Sequence, residues 1–445
     1  MRFLLFAPLL VAAPAFAHPD PSAVSEQRLR ADVESMVSFG TRHTLSAVDD
    51  PQRGIGAARD WGAAEFAKAS TACNGCLQIV RPQTTVTGER IPEPALIENV
   101  VAIQRGTERP NEVVIVQGHI DSRGSDVMDA AVEAPGANDN ASGSALVLEA
   151  ARVLSQHRYP TTIVYALLSG EEQGLFGGQL MADYARQQGW TVKAVLNNDV
   201  VGGSCGSDGV CDDAHVRVFS EGTRDDAPDA LRSRMRSLGG GNDSPSRNLS
   251  RWLDGLATTS GSGLDVRQVW RSDRMGRGGD HLPFLAAGYP AIRFSVAIED
   301  YEHQHQDLRT ENGTVYGDTV DEMDFPYLAK VTRLNVAALD RLARAPMPPV
   351  VDADGIVRPD VLLEWVPVDG AVSYNIWRRA TDARDWELRD TLAADPGADL
   401  NSITLAPDRG DDWFFGVSAV AADGAESPVS SAVPGGGFAP LPVTQ

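Results

Sequence analysis

Apolar and polar positions along the 445-residue chain follow two patterns, and the change comes near residue 345. Before it, short β-branched runs alternate with amphipathic stretches at helical spacing. Asn99 to Ile103, Val113 to Val116, Thr162 to Leu168, Val192 to Leu196, Val216 to Phe219, Val266 to Trp270 and Pro290 to Val296 read as strands. Ser25 to Phe39, Arg53 to Ser70, Asn140 to Leu154, Phe176 to Gln188, Asp280 to Ala287 and Phe325 to Leu342 read as helices. In the first of these Leu29, Val33, Met36 and Val37 share a face, and Gly40 closes the segment. The more polar stretch Ala227 to Ser260 predicts a partly helical, surface-exposed section. Strand and helix in alternation predict an α/β unit with a mainly parallel mixed sheet flanked by helices. After the Pro-rich segment Ala345-Pro346-Met347-Pro348-Pro349 the pattern changes. Val361 to Trp365, Ser373 to Arg378, Ile403 to Leu405 and Trp413 to Val420 are short alternating strands, which predict a small all-β sandwich. The chain thus divides into an α/β domain at 18–345, a linker at 346–351 and a β unit at 352–438.

The first residues add a compartment. Arg2, the apolar run Phe3 to Val11 and Ala15-Phe16-Ala17 have the form of a secretory signal peptide, 1–17, cleaved after Ala17. As a membrane anchor the run is too short and is interrupted by Pro8 and Pro14. No later segment has the length to span a bilayer, so the expected product is secreted or periplasmic. In that setting the four cysteines read as disulfides, and their spacing favours Cys73 with Cys76 and Cys205 with Cys211. A CxxC redox motif or half of a zinc site is the other reading of Cys73 and Cys76. A net charge of −22 argues against nucleic acid or anionic membrane as partners.

Candidate chemistry follows the strands. Gly118-His119-Ile120-Asp121 ends one, Ser169-Gly170-Glu171-Glu172 another, and Asn198-Asp199 a third; Asp139 sits in the loop Gly136 to Gly143 before a helix. Each element has an ordinary explanation alone: Asp139 as a helix N-cap, Glu171 and Glu172 as charges complementing a helix dipole, His119 as a buried core histidine. Together, at the carboxyl ends of successive strands, they converge where open α/β sheets bind ligands. A pair of divalent cations needs a bridging carboxylate, terminal His or carboxylate ligands and a base for water. Asp121 has the spacing to accept the other ring N–H of His119. Glu171 and Glu172, in an irregular turn, can serve different tasks.

These residues, with Phe39-Gly40-Thr41-Arg42-His43 and Gly279-Asp280-His281-Leu282-Pro283-Phe284, make residues 25–345 similar to the M28 family of zinc metallopeptidases. The resemblance implies two zinc ions: His119 and Asp199 on one, Glu172 on the other, Asp139 bridging, and Glu171 as general base. Asp121, as the partner of the His119 ring, is counted with Glu171 among the catalytic residues. The family's last ligand is a late histidine. Tyr301-Glu302-His303-Gln304-His305-Gln306-Asp307 offers two, and His305 is taken with His303 as the alternative. His281 reads as a pocket or helix-start residue, and His43, His157 and His215 as structural. Arg274, Arg277 and Tyr301, in late loops, are candidates to line the pocket or stabilise an oxyanion.

What the resemblance implies is an exported aminopeptidase acting on peptides or small proteins, its substrate amine held in an acidic, closed cleft. A carboxypeptidase or a glutaminyl cyclase on the same fold remains open, and so does a non-catalytic binding protein. The complete ligand set weighs against the last. Nitrogen and oxygen donors suit zinc, while cobalt or manganese could also bind. In the last hundred residues Trp365, Tyr374-Asn375-Ile376-Trp377 and Phe415-Gly416-Val417-Ser418-Ala419-Val420 before Asp423-Gly424 resemble a fibronectin type III domain.

Overall fold

The computed structural model describes residues 19–395 and 397–441, so the expected signal peptide lies outside the described residues. Eight strands form the main sheet, in the spatial order Leu77–Val80, Val100–Gln104, Thr161–Leu168, Arg109–His119, Thr191–Asn198, Ala291–Val296, His215–Phe219 and Asp265–Val269. The four middle strands, from Thr161–Leu168 to Ala291–Val296, run parallel. The chain leaves Arg109–His119 for a neighbour on one side and later returns to the other side. That reversal of strand order opens a crevice at the carboxyl end of this strand.

Alternation along Val113–Val116 explains the two-sided packing. Val114 and Val116 face the larger core, which takes in Leu146, Leu154, Leu334 and Leu339 from the helices Ser142–Leu154 and Phe325–Arg344. Val113 and Ile115 face a second core with Met181, Ala182, Phe284 and Leu285. A strand buried on both faces reads as a continuous apolar run. The expected helices and middle strands are therefore present, with ends shifted by a few residues.

Three expectations require correction or addition. Pro245–Ala257, within the stretch expected at the surface, is a largely buried helix. Its polar side chains are paired rather than hydrated: Arg251 donates to Asp243 (3.0 Å) and Asn248 (2.8 Å). A hairpin, Gln83–Gly88 with Ile91–Glu98, goes unseen in the sequence because it is half exposed and its second strand holds Pro92 and Pro94. Val351–Asp354 and Glu387–Ala393 are strands too, their mostly exposed side chains leaving no apolar alternation to read.

The C-terminal strands form two antiparallel sheets, Val351–Asp354 with Val361–Trp365 and Asn401–Leu405, and Glu387–Ala393 with Ser373–Ala380, Trp413–Val420 and Ser430–Ser431. Trp365 and Leu363 of one meet Tyr374, Ile376 and Val417 of the other in a shared core, with Trp365 and Tyr374 edge to face at 5.3 Å. This sandwich is clasped to the α/β unit through buried charge. Asp243 accepts from Arg379 of the sandwich (2.6 Å) as well as from Arg251, and Trp386 donates to Asn248 (3.0 Å).

Removing Asp243 would leave two buried guanidiniums uncompensated. We expect Asp243→Ala to lower stability by about 3 kcal/mol or more in urea unfolding; a loss below about 1 kcal/mol would mean that the clasp is solvated and weak.

Candidate metal centre

Four segments that follow parallel strands, and one loop between strand and helix, deliver the candidate residues to the crevice. His119 is the last residue of its strand, Asp199 follows Thr191–Asn198, Glu171 and Glu172 sit in the turn after Thr161–Leu168, and His305 lies in the loop after Ala291–Val296. Asp139 comes from the irregular turn Ala137–Ala141, in which the Asp139–Asn140 peptide is cis.

That turn is held from several sides. The Asn138 and Asp139 N–H groups donate to the Asp318 carboxylate (2.7 and 2.6 Å). Asn140 donates to the Asn198 carbonyl (2.9 Å) and accepts from the Gly143 N–H (3.0 Å). Arg42, fully buried, donates to the carbonyls of Ile120 (2.8 Å), Pro135 (2.5 Å) and Gly136 (2.8 Å). Gly136 is in the left-handed region (φ 53°), and a Cβ there would meet Ser122 at 2.5 Å. Gly143 lets the helix approach the sheet so closely that a Cβ would lie 2.2 Å from the Asn198 carbonyl oxygen.

Asp139 stands between the two histidines. Its Oδ1 is 3.2 Å from His119 Nε2 and its Oδ2 is 2.9 Å from His305 Nε2. Around this carboxylate the donors separate into two groups, His119 with Glu171 and Asp199, and Asp139 with Glu172 and His305, each with ligand atoms within 4.8 Å of one another. The adjacent glutamates therefore point to different groups. His119 Nε2 and Glu172 Oε1 are buried without a hydrogen-bond partner, and the donors are imidazole and carboxylate only. Those features fit divalent cations such as zinc.

The two histidines are prepared differently. His119 Nδ1 faces the Asp121 carbonyl at 3.1 Å, nearer than the Asp121 carboxylate at 3.5 Å; donating there leaves the Nε2 lone pair free for a cation. The Asp121 carboxylate instead accepts from the backbone N–H of Glu172 (3.1 Å) and from Thr44 (2.9 Å), so it fixes the glutamate turn. At His305, Arg123 Nη2 lies 2.7 Å from Nδ1. A guanidinium only donates, so coordination through Nε2 requires Arg123 to leave that nitrogen. His303 points elsewhere, with Nδ1 on the Gly317 carbonyl (2.8 Å) and Nε2 beside Glu322 (3.3 Å).

Electrostatics follow from crowding. Burial, reinforced by Asp199, Glu172 and Asp280 against the opposing pull of His119, pushes the Glu171 carboxyl well above the usual range. Burial also raises Asp280 to about 7, with Asp121 and Asp199 adding to it and His119 opposing. Asp199 goes the other way: burial would raise it, but the Arg293 guanidinium 2.9 Å away holds it low.

Residues 99–338 match peptidase family M28. A probable zinc metalloprotease of Leptosphaeria maculans is 42% identical over 417 residues, covering 93% of this chain and 95% of that one. Another, from Pyrenophora teres f. teres, is 41% identical over 412 residues, covering 91% and 84%. The chain belongs to peptidase family M28. The LapA aminopeptidase of Legionella pneumophila shares the fold, with a TM-score of 0.51 and 19% identity over 75% of this chain and 78% of that one.

In this M28 peptidase Asp139, Glu171, Glu172, Asp199 and His305 line the cleft, with His119 buried beneath them, and among the expected pocket residues Arg274 and Arg277 line it too. Tyr301 is 62% exposed and is not among the lining residues. His281, buried, precedes the helix Leu282–Ala286 with Nε2 2.7 Å from the Ser272 carbonyl. His43 lies against Gln173 (3.0 Å), and His215 pairs with Asp212 (2.9 Å). Cys73 is bonded to Cys76 and Cys205 to Cys211. Sequence reasoning missed Arg42 as a brace, and missed Asp318, Arg293 and Arg123 altogether. Only Arg42 had a local signal, its place in Phe39-Gly40-Thr41-Arg42-His43.

The geometry makes the two late histidines separable. We expect His305→Ala to lower zinc content by metal analysis, while His303→Ala retains it. Loss of zinc from the His303 variant alone would reverse the assignment.

Proposed function

We propose that the protein is an exported di-zinc aminopeptidase, removing N-terminal residues from peptides. The observation that carries this reading is the Asp139 carboxylate, one oxygen toward His119 and the other toward His305. In this proposal His119 and Asp199 hold one ion, Glu172 and His305 the other, and Asp139 bridges. When bound, such ions would acidify a water and polarise the scissile carbonyl.

The chain's own residues do the rest. Glu171 takes the proton of the attacking water on its carboxylate and hands it to the leaving amine. Burial raises its affinity for a proton, which suits a group that takes a proton and passes it on. Asp121 keeps the glutamate turn and the His119 ring in register. Arg293 keeps Asp199 ionised as a ligand. We read residues 18–345 as the peptidase domain, 346–351 as a linker and 352–438 as a fibronectin type III-like unit. Export is supported by the signal-like first 17 residues and by the two disulfides. Among the described residues no helix is long and apolar enough to cross a membrane.

Two outcomes test this reading. Glu171→Gln should lower kcat by about a thousandfold, the scale of a lost general base, with zinc content unchanged; full activity would remove Glu171 from the role. Chelation should abolish hydrolysis of free-amine peptides, and added zinc should restore it. Equal hydrolysis of N-acetylated peptides would rule out an aminopeptidase.

A further inference from the structure

The cleft over the candidate metal centre, about 400 Å³ in volume, is lined by four arginines, Arg90, Arg123, Arg274 and Arg277. They match in number the lining carboxylates that the proposed function assigns to metal and water. The acidic cleft expected from the sequence is therefore of mixed charge in the fold.

The four are not equally committed. Arg123 is occupied by Glu172 (2.8 Å), His305 (2.7 Å) and the Gly124 carbonyl (3.2 Å). Arg274 is occupied by Asp273 (3.2 Å), Glu299 (3.3 Å) and the Gly278 carbonyl (3.3 Å). Arg277 engages Glu299 and Gln304 (both 3.1 Å) through Nη1 alone, and Glu299 is already shared with Arg217 and Arg274. Arg90, exposed at the turn of the hairpin Gln83–Glu98, uses only Nη1, on the Glu172 carbonyl (2.9 Å). Among the described residues Arg90 and Arg277 thus each keep Nε and Nη2 without a hydrogen-bond partner, from two loops far apart in the chain. Guanidiniums that line a cleft with paired donors to spare are suited to a carboxylate.

We propose that the cleft selects substrates carrying a carboxylate next to the scissile bond, received by Arg90 and Arg277. The carboxylate is either the side chain of an N-terminal acidic residue or the free α-carboxylate of a short peptide. This rests on the reading of the cleft as a peptidase site. Arg274, with its donors occupied, contributes field rather than contacts.

The test compares kcat/KM for Glu-anilide against Leu-anilide, and for Leu-Gly against Leu-Gly amide, in zinc-loaded wild type, Arg90→Ala, Arg90→Lys and Arg277→Gln. Calorimetry measures binding of L-glutamate against L-leucine to the same proteins. One carboxylate-bearing member should be preferred by about tenfold or more, the scale of a charge-assisted hydrogen bond. Arg90→Ala and Arg277→Gln should shrink that ratio, and Arg90→Lys should recover part of it. Preference within the anilide pair identifies a side-chain carboxylate, and preference within the dipeptide pair an α-carboxylate. Flat ratios together with equal binding of glutamate and leucine would overturn the proposal. Tighter glutamate binding that depends on Arg90, with no hydrolysis of any substrate, would uphold the carboxylate site while overturning the peptidase reading.

Discussion

Everything at this site depends on keeping several carboxylates buried side by side. Asp121, Asp139, Glu172, Asp199 and Asp280 are each at most 5% exposed, and like charges at such range repel strongly where water is excluded. The fold meets the problem with fixed positive groups and donors: Arg293 on Asp199, Arg123 on Glu172, and imidazoles on both sides of Asp139. It also braces the backbone, since a ligand turn under repulsion would otherwise open. Arg42 ties the Asp139 loop to the end of its neighbouring strand, and Asp318 clamps the same loop from the other side. Among the atoms left without a hydrogen bond after this compensation are His119 Nε2 and Glu172 Oε1, on either side of Asp139.

The middle of the sheet and the residues at its strand ends were legible in the sequence because their signals are local. An apolar run such as Val113 to Val116 followed at once by Gly118-His119-Ile120-Asp121 carries both strand and ligand. The braces were not legible, because each acts across the chain. Asp318 meets Asp139 from 179 residues away, and its own neighbours give no pattern. The choice between His303 and His305 could not be made by spacing from Asp307, because that carboxylate accepts from Ser125 and not from either histidine. The left-handed backbone at His305 (φ 58°) and the approach of Arg123 distinguish that histidine, and neither leaves a mark in composition.

The same limit explains the misread surface stretch and the cleft's charge. Pro245–Ala257 is polar because it meets another polar surface, the sandwich, where Asp243 joins Arg251 to Arg379. Polar patterning reports pairing capacity, and only the fold says whether the partner is water or protein. Arg90 makes the point for the cleft. It sits on an unforeseen hairpin, yet that hairpin carries it to the Glu172 carbonyl. The metal-centre residues and Arg90 thus come from different layers of the sequence, one local and motif-like, the other assembled by topology.

Whether Asp139 bridges two ions is read by anomalous diffraction at the zinc edge from zinc-loaded crystals. Two peaks about 3.5 to 4 Å apart are expected, one toward His119 and Asp199 and one toward Glu172 and His305. A single peak, or two that do not flank Asp139, would contradict the bridging role.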